Sequence, residues 1–132
     1  MTSPALFAYL SYRDAPIGIA WLTSLGFETV ARQDAADGGV AHAELRLGSA
    51  VVMVATADAD YEVPPLRGRS VGGGVYLRTD DVDGMYQRAL SAGAVEVIPP
   101  EDTEWGSRRA RVLDPEGHEW SFGSYEPGRA WG

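Results

Sequence analysis

The chain contains no cysteine. That excludes a disulfide framework, a thiolate metal site and a cysteine nucleophile together, while saying little about compartment. Long apolar runs are also missing. None approaches the ~18 residues that a membrane-spanning helix takes, and the N-terminus has no basic segment followed by an apolar core of the kind that marks a secretory leader. The expectation is a cytoplasmic protein with no membrane contact. Positive charge is scarce, with 11 basic against 19 acidic residues and a net charge of −8. Nucleic acid is therefore not expected as a partner, since phosphate binding takes clustered Lys and Arg. The acids are scattered, so they read first as solubilising and second as an attraction for cationic ligands. Histidine is limited to His42 and His118. There is no Gly-x-Ser-x-Gly nucleophile elbow. The glycine-rich Ser70-Val-Gly-Gly-Gly74 precedes a strand, whereas a phosphate loop follows a strand and opens a helix, so it reads as a flexible approach.

What the chain does have is a small domain's worth of core, at 132 residues and 45% hydrophobic. Residues 5–12, rich in aromatic and apolar side chains, predict a strand. Asp14 is placed to cap a helix over 15–25, with Pro16 in its first turn and Gly26 as its stop. Strands are expected from Phe27 to Arg32, from Val40 to Leu47 and from Ala50 to Ala55, the last two joined by Gly48-Ser49. Residues 56–73 carry Asp, Pro and Gly without periodicity and read as a linker or lid. The pattern then restarts. It gives a strand from Gly74 to Thr79, a cap at Asp80 or Asp81, a helix from Val82 to Ala92 stopped by Gly93, a strand from Ala94 to Ile98, and a loop from Pro99 to Glu104. The final strands run from Arg108 to Leu113 and from His118 to Gly123.

The two halves superpose at an offset of 67 residues, which carries Tyr9-Leu10 onto Tyr76-Leu77, Asp14 onto Asp81 and Gly26 onto Gly93. Each half is a small sheet with one helix, too small to bury its own face, and a repeat of this kind decides a fold. The expected architecture is α+β: one domain over 1–132, with module one at about 5–55, the linker at 56–73 and module two at about 74–125. Two tandem βαβββ modules would form one open, curved, mixed sheet with helices on its convex side and a cavity on its concave side.

The closing segment Asp114-Pro-Glu-Gly-His-Glu-Trp-Ser-Phe-Gly123 reads as a hairpin. Pro115 presets φ in the turn, and Gly117 is free to take positive φ. Trp120 and Phe122 fall on one face; Glu119, Ser121 and Gly123 fall on the other. With the repeat, with Tyr-Leu-Ser-Tyr-Arg-Asp-Ala from Tyr9 and with His-Ala-Glu-Leu-Arg-Leu-Gly from His42, this hairpin resembles the vicinal oxygen chelate superfamily, which holds glyoxalase I, extradiol dioxygenases and the fosfomycin and bleomycin resistance proteins. The similarity covers roughly residues 5–125 and is greatest to the glyoxalase/bleomycin-resistance-like subgroup.

In metal-dependent members of that family, one side chain from each of four strands binds the ion. The corresponding positions here are Phe7, Gly74, Ser121 and Val54, or Met53 if the register slips by one. These are poor donors for a divalent ion, so no metal and no other cofactor is expected. His42 alternates with Glu44 and is the best general-base candidate, although a rim or carboxylate-paired role fits it better. His118 reads as a turn residue, and Trp21 and Trp120 as packing residues. If Phe7 faces the cavity, so do Tyr9 and Ser11, and the repeat adds Gly74, Tyr76 and Arg78. Trp105 either stacks on a ligand at the mouth or covers the core, and Arg108 is expected to pair with an acid. The expected ligand-binding set is Phe7, Tyr9, His42, Met53, Tyr76, Trp105 and Ser121, an aromatic lining suited to a flat or amphipathic molecule.

The resemblance implies a metal-free protein that binds and sequesters a small aromatic or cationic molecule such as an antibiotic, and that works as a homodimer. The competing expectation is a metal-dependent lyase, isomerase or dioxygenase in which His42 and Glu44 take part. A regulatory or accessory metabolite-binding module is the third.

Overall fold

The computed structural model describes residues 3–57 and 73–130. The elements run β1 (Ala8–Tyr12), α1 (Ala15–Leu25), β2 (Glu28–Asp34), β3 (Val40–Leu47) and β4 (Ala50–Thr56), then β5 (Gly74–Arg78), α2 (Val82–Ser91), β6 (Val95–Asp102), β7 (Arg108–Leu113) and β8 (Glu119–Gly123). This is an α+β fold of two βαβββ modules. The chain divides into two compact units, Met1–Val63 and Pro64–Gly132. Most of the expected linker, and most of the glycine-rich stretch from Ser70, lie outside the described residues.

Each unit contains a four-stranded sheet, ordered β1-β4-β3-β2 in the first and β5-β8-β7-β6 in the second. The outer strand pairs β1–β4 and β5–β8 are parallel and the rest antiparallel, so both sheets are mixed. A crossover helix supplies the parallel return in each unit.

The helices begin and end for identifiable reasons. Asp14 Oδ1 accepts from Ile17 N at 3.3 Å, and Asp81 Oδ1 from Gly84 N at 3.1 Å. Each cap satisfies one of the amides that a helix start leaves without a partner. Gly26 takes φ 111° and Gly93 φ 113°, a left-handed conformation that costs other residues dearly. In unit one Leu22, Leu25, Val52, Val54, Ala43, Leu45 and Tyr12 are almost wholly buried, and in unit two so are Val82, Ala89, Ala110, Val112, Trp120 and Phe122. Burying each large apolar side chain contributes about 1.5–3 kcal/mol.

Three strands differ from expectation, the first being β1, which begins only at Ala8 where residue 5 was expected. β2 lies one to two residues further along, and β6 continues through Pro99-Pro100 to Asp102 where a loop was expected. The reason is position: β6 is an edge strand, so a proline can present its missing donor to solvent. The register also shifts between Ile98 and Glu101, and resumes as Glu101↔Arg109 and Asp102↔Arg108. Each of those pairs is an ion pair, at 2.9 and 3.0 Å.

The closing hairpin is organised by Asp114, only 2% exposed. Its Oδ1 accepts from Glu116 N and His118 N, both at 3.0 Å, and its Oδ2 from the indole Nε1 of Trp120 at 3.3 Å. Gly117 takes φ 89° within the turn. One carboxylate therefore holds the turn and the largest core side chain of the last strand together.

Candidate functional site

Alternation leaves one face of each sheet outside the core. In unit two the pairings Tyr76↔Ser121, Arg111↔Ser121 and Ile98↔Arg111 align four side chains in one row across all four strands. Around that row lies a cavity of about 170 Å³, lined by Tyr76, Ile98, Arg109, Arg111, Ser121 and Tyr125 and walled by the segment from Thr103 to Arg108. An engineered cavity of about 150 Å³ takes benzene, so this one has room for one aromatic ring.

The wall is a tight turn. Thr103 N donates to the Ser107 carbonyl at 2.8 Å, the two hydroxyls lie 2.8 Å apart, and Gly106 takes φ 83°. This turn carries Trp105 at its tip, 64% exposed. Tyr76 is fixed from the other side, its hydroxyl donating to the Tyr125 carbonyl at 2.6 Å. Burial pushes the Tyr76 phenol up from its ordinary value, against the pull of Arg78, so it stays a neutral donor at neutral pH. Gly123 makes this placement possible, because a Cβ there would collide with the Tyr76 ring and hydroxyl.

The three arginines of β7 differ in how their charge is met. Arg108 Nε donates to Asp83 at 2.8 Å and its Nη1 to Asp102 at 3.0 Å. These carboxylates hold the guanidinium's pKa above its ordinary value, Asp83 contributing most, and Arg108 in turn holds the Asp83 carboxyl below its own. Arg109 is paired with Glu101 at 2.9 Å. Arg111 has no carboxylate partner among the described residues; its Nε donates to Ser121 Oγ at 3.0 Å.

Tyr76, Trp105 and Ser121 of the expected ligand set thus line one cavity. The other four lie in unit one. There the pairings Tyr9↔Met53 and Glu44↔Met53 place these side chains in the equivalent row, and Phe7 just precedes β1, exposed. His42 Nε2 lies 2.7 Å from Glu44 Oε2, with both side chains near half exposed. Val54, the other candidate for the family position, is buried beside Leu10 in the core, so Met53 is the residue that shares Tyr9's face.

The residues at the family's metal positions do not fit a divalent ion. Phe7 and Gly74 bring no donor, and Met53 brings a thioether, a soft ligand for a hard site. A Cβ at Gly74 would meet Glu119 Oε2 at 2.9 Å. Ser121 is bonded to a guanidinium, whose charge repels a second cation. His42 and Glu44 supply two donors, and no group of three His, Asp or Glu side chains able to hold a metal occurs among the described residues.

Sequence reasoning missed Arg109, Arg111, Ile98 and Tyr125, because the family's metal ligands come from four other strands, and none of these residues lies on one of them. A signal was there. At the repeat offset Arg111 falls on Glu44, one of the few polar positions singled out in the first half.

The model of the Glyoxalase/Bleomycin resistance protein/Dioxygenase superfamily matches residues 7–122. The chain belongs to that superfamily. Among individual proteins, it is 37% identical over 131 residues to an uncharacterized protein of Mycobacterium bovis, covering 91% of this chain and 82% of that one. The crystal structure of TioX from Micromonospora sp. ML1 is 34% identical, with a TM-score of 0.73, covering 94% of this chain and 100% of the other. The bleomycin resistance determinant encoded on transposon Tn5 shares the fold at 24% identity and a TM-score of 0.65, covering 94% and 99%. No helix among the described residues is long and apolar enough to cross a membrane.

Proposed function

We propose that the protein binds and sequesters a small aromatic molecule, an antibiotic being the leading class, without using a metal. The observation that carries this reading is the unit-two cavity: one ring in size, bordered by Tyr76, Trp105 and Tyr125, with polar groups at Ser121 and Arg111. An apolar pocket with a few convergent polar groups is the usual form of a small-molecule site. The donor chemistry at the family's metal positions supports the metal-free part. A bleomycin resistance determinant has the same fold. In this reading Tyr76, Trp105 and Ser121 contact the ligand, while Phe7, Tyr9, His42 and Met53 form the ligand surface of unit one. The protein acts in the cytoplasm as a homodimer, for which sedimentation equilibrium is the check.

The test is equilibrium dialysis of EDTA-treated protein against a panel of planar aromatic antibiotics. Saturable binding is expected, unchanged by added Zn²⁺, Mn²⁺ or Fe²⁺. Trp105→Ala should weaken it roughly three- to tenfold, the value of one aromatic contact. Binding or turnover only with a divalent ion present would replace this reading with that of a metal-dependent lyase, isomerase or dioxygenase.

A further inference from the structure

The charge inside the cavity is opposite to that of the chain. The protein carries −8 overall, a balance that reads first as solubilising and second as an attraction for cationic ligands. Of the three arginines at the cavity, however, Arg108 and Arg109 are met by Asp83, Asp102 and Glu101, and Arg111 is met by no carboxylate among the described residues. It is partly buried, on an inner strand of its row between Ser121 and Ile98, and lines the same cavity as Tyr76.

We infer that the cavity selects an aromatic acid, its carboxylate or phenolate engaged by Arg111 and its ring held among Tyr76, Trp105 and Ile98. This inference rests on the proposal that the cavity binds an aromatic molecule. A guanidinium offers five donors in a planar fork. Arg111 spends Nε on Ser121, which leaves the two terminal nitrogens for the two oxygens of a carboxylate, a bidentate pairing that suits Arg above all other side chains. Ser121 Oγ accepts that bond and keeps its own hydroxyl proton, a further donor at the same spot. The hydroxyls of Thr103 and Ser107 are bonded to each other, and that of Tyr76 to the Tyr125 carbonyl, so recognition of the acid falls to Arg111 and Ser121. A cationic ligand would be placed against an unmet positive charge, at a cost that low local dielectric raises.

The experiment uses three probes that share one ring and differ in charge: benzoate, benzamide and benzylammonium, measured by equilibrium dialysis against the whole chain at neutral pH. Benzoate should bind roughly tenfold or more tighter than the other two, the range of a charge-assisted pair. Arg111→Gln should abolish the preference for benzoate over benzamide. Arg111→Lys, which keeps the charge but loses the fork, should fall between. Equal binding of all three by the wild type, or a preference for the cation, would overturn the inference while leaving an aromatic-binding cavity in place. That result needs no variant and is independent of how the variants fold. If none of the three binds, the cavity reading fails and this inference with it.

Discussion

Asp114 offers the sharpest stability test, because one side chain joins a turn to a buried indole. Asp114→Ala removes the acceptor of Glu116 N, His118 N and Trp120 Nε1. A hydrogen bond to a charged group contributes about 1.5–3 kcal/mol. The two amides lie in a turn that water can reach, so they belong at the lower end. The indole is different: Trp120 is 0% exposed, and its donor would be left without a partner, at about 1–3 kcal/mol. The losses overlap, so the expected total is about 3–4 kcal/mol, a large share of the 5–15 kcal/mol typical of a domain. Asp114→Asn keeps an oxygen for the turn amides and should cost about half as much. Urea unfolding at pH 7, followed by far-UV circular dichroism, measures both. A loss below ~1 kcal/mol for the alanine variant, or equal losses for the two, would refute the view that this carboxylate ties turn to core.

Three further outcomes are expected. Gly18→Ala should destabilise by about 1–2 kcal/mol despite alanine's better helix propensity, because the new Cβ would sit 2.9 Å from three carbons of the Tyr12 ring, itself only 1% exposed; a rise in the thermal midpoint would count against the close packing of α1 on β1. Gly123→Ala should displace Tyr76 from the Tyr125 carbonyl and weaken aromatic-ligand binding roughly tenfold by removing one wall of the cavity; wild-type affinity in dialysis would mean that the ring is not part of the site. Arg108 holds the Asp83 carboxyl below its ordinary 3.8, so the stabilisation from this pair is full above that pH and fades as pH falls below it. Asp83→Asn should therefore lower the urea midpoint slightly at pH 7, with the gap closing in acid, and a gap that widens there would contradict the sign.

The features legible in the sequence were those written locally. Asp14 and Asp81 cap, Gly26 and Gly93 stop, and Asp114-Pro115-Glu116-Gly117 turns, because each acts through atoms a few residues away. Periodicity likewise separated Trp120 and Phe122 from Ser121. What escaped depends on neighbours across strands. The path of β6 through Pro99-Pro100 is permitted only by its place at a sheet edge. Arg111 stands out because it meets no carboxylate among the described residues, which emerges only once Glu101, Asp102 and Asp83 are seen to be taken by Arg109 and Arg108. The choice between Val54 and Met53 failed at a fixed offset because the second hairpin turn is one residue longer. The offset is 67 between Glu44 and Arg111 but 68 between Met53 and Ser121.

That extra turn residue changes what counts as the same place in the two halves. Tyr9–Met53–Glu44–Ala31 and Tyr76–Ser121–Arg111–Ile98 are one address written twice, in strand and row instead of chain number. At that address one copy holds an acid leaning on a histidine and the other a base leaning on a serine. A duplicated scaffold of this kind separates shape from polarity: the backbone keeps the row, and each copy is free to choose its sign.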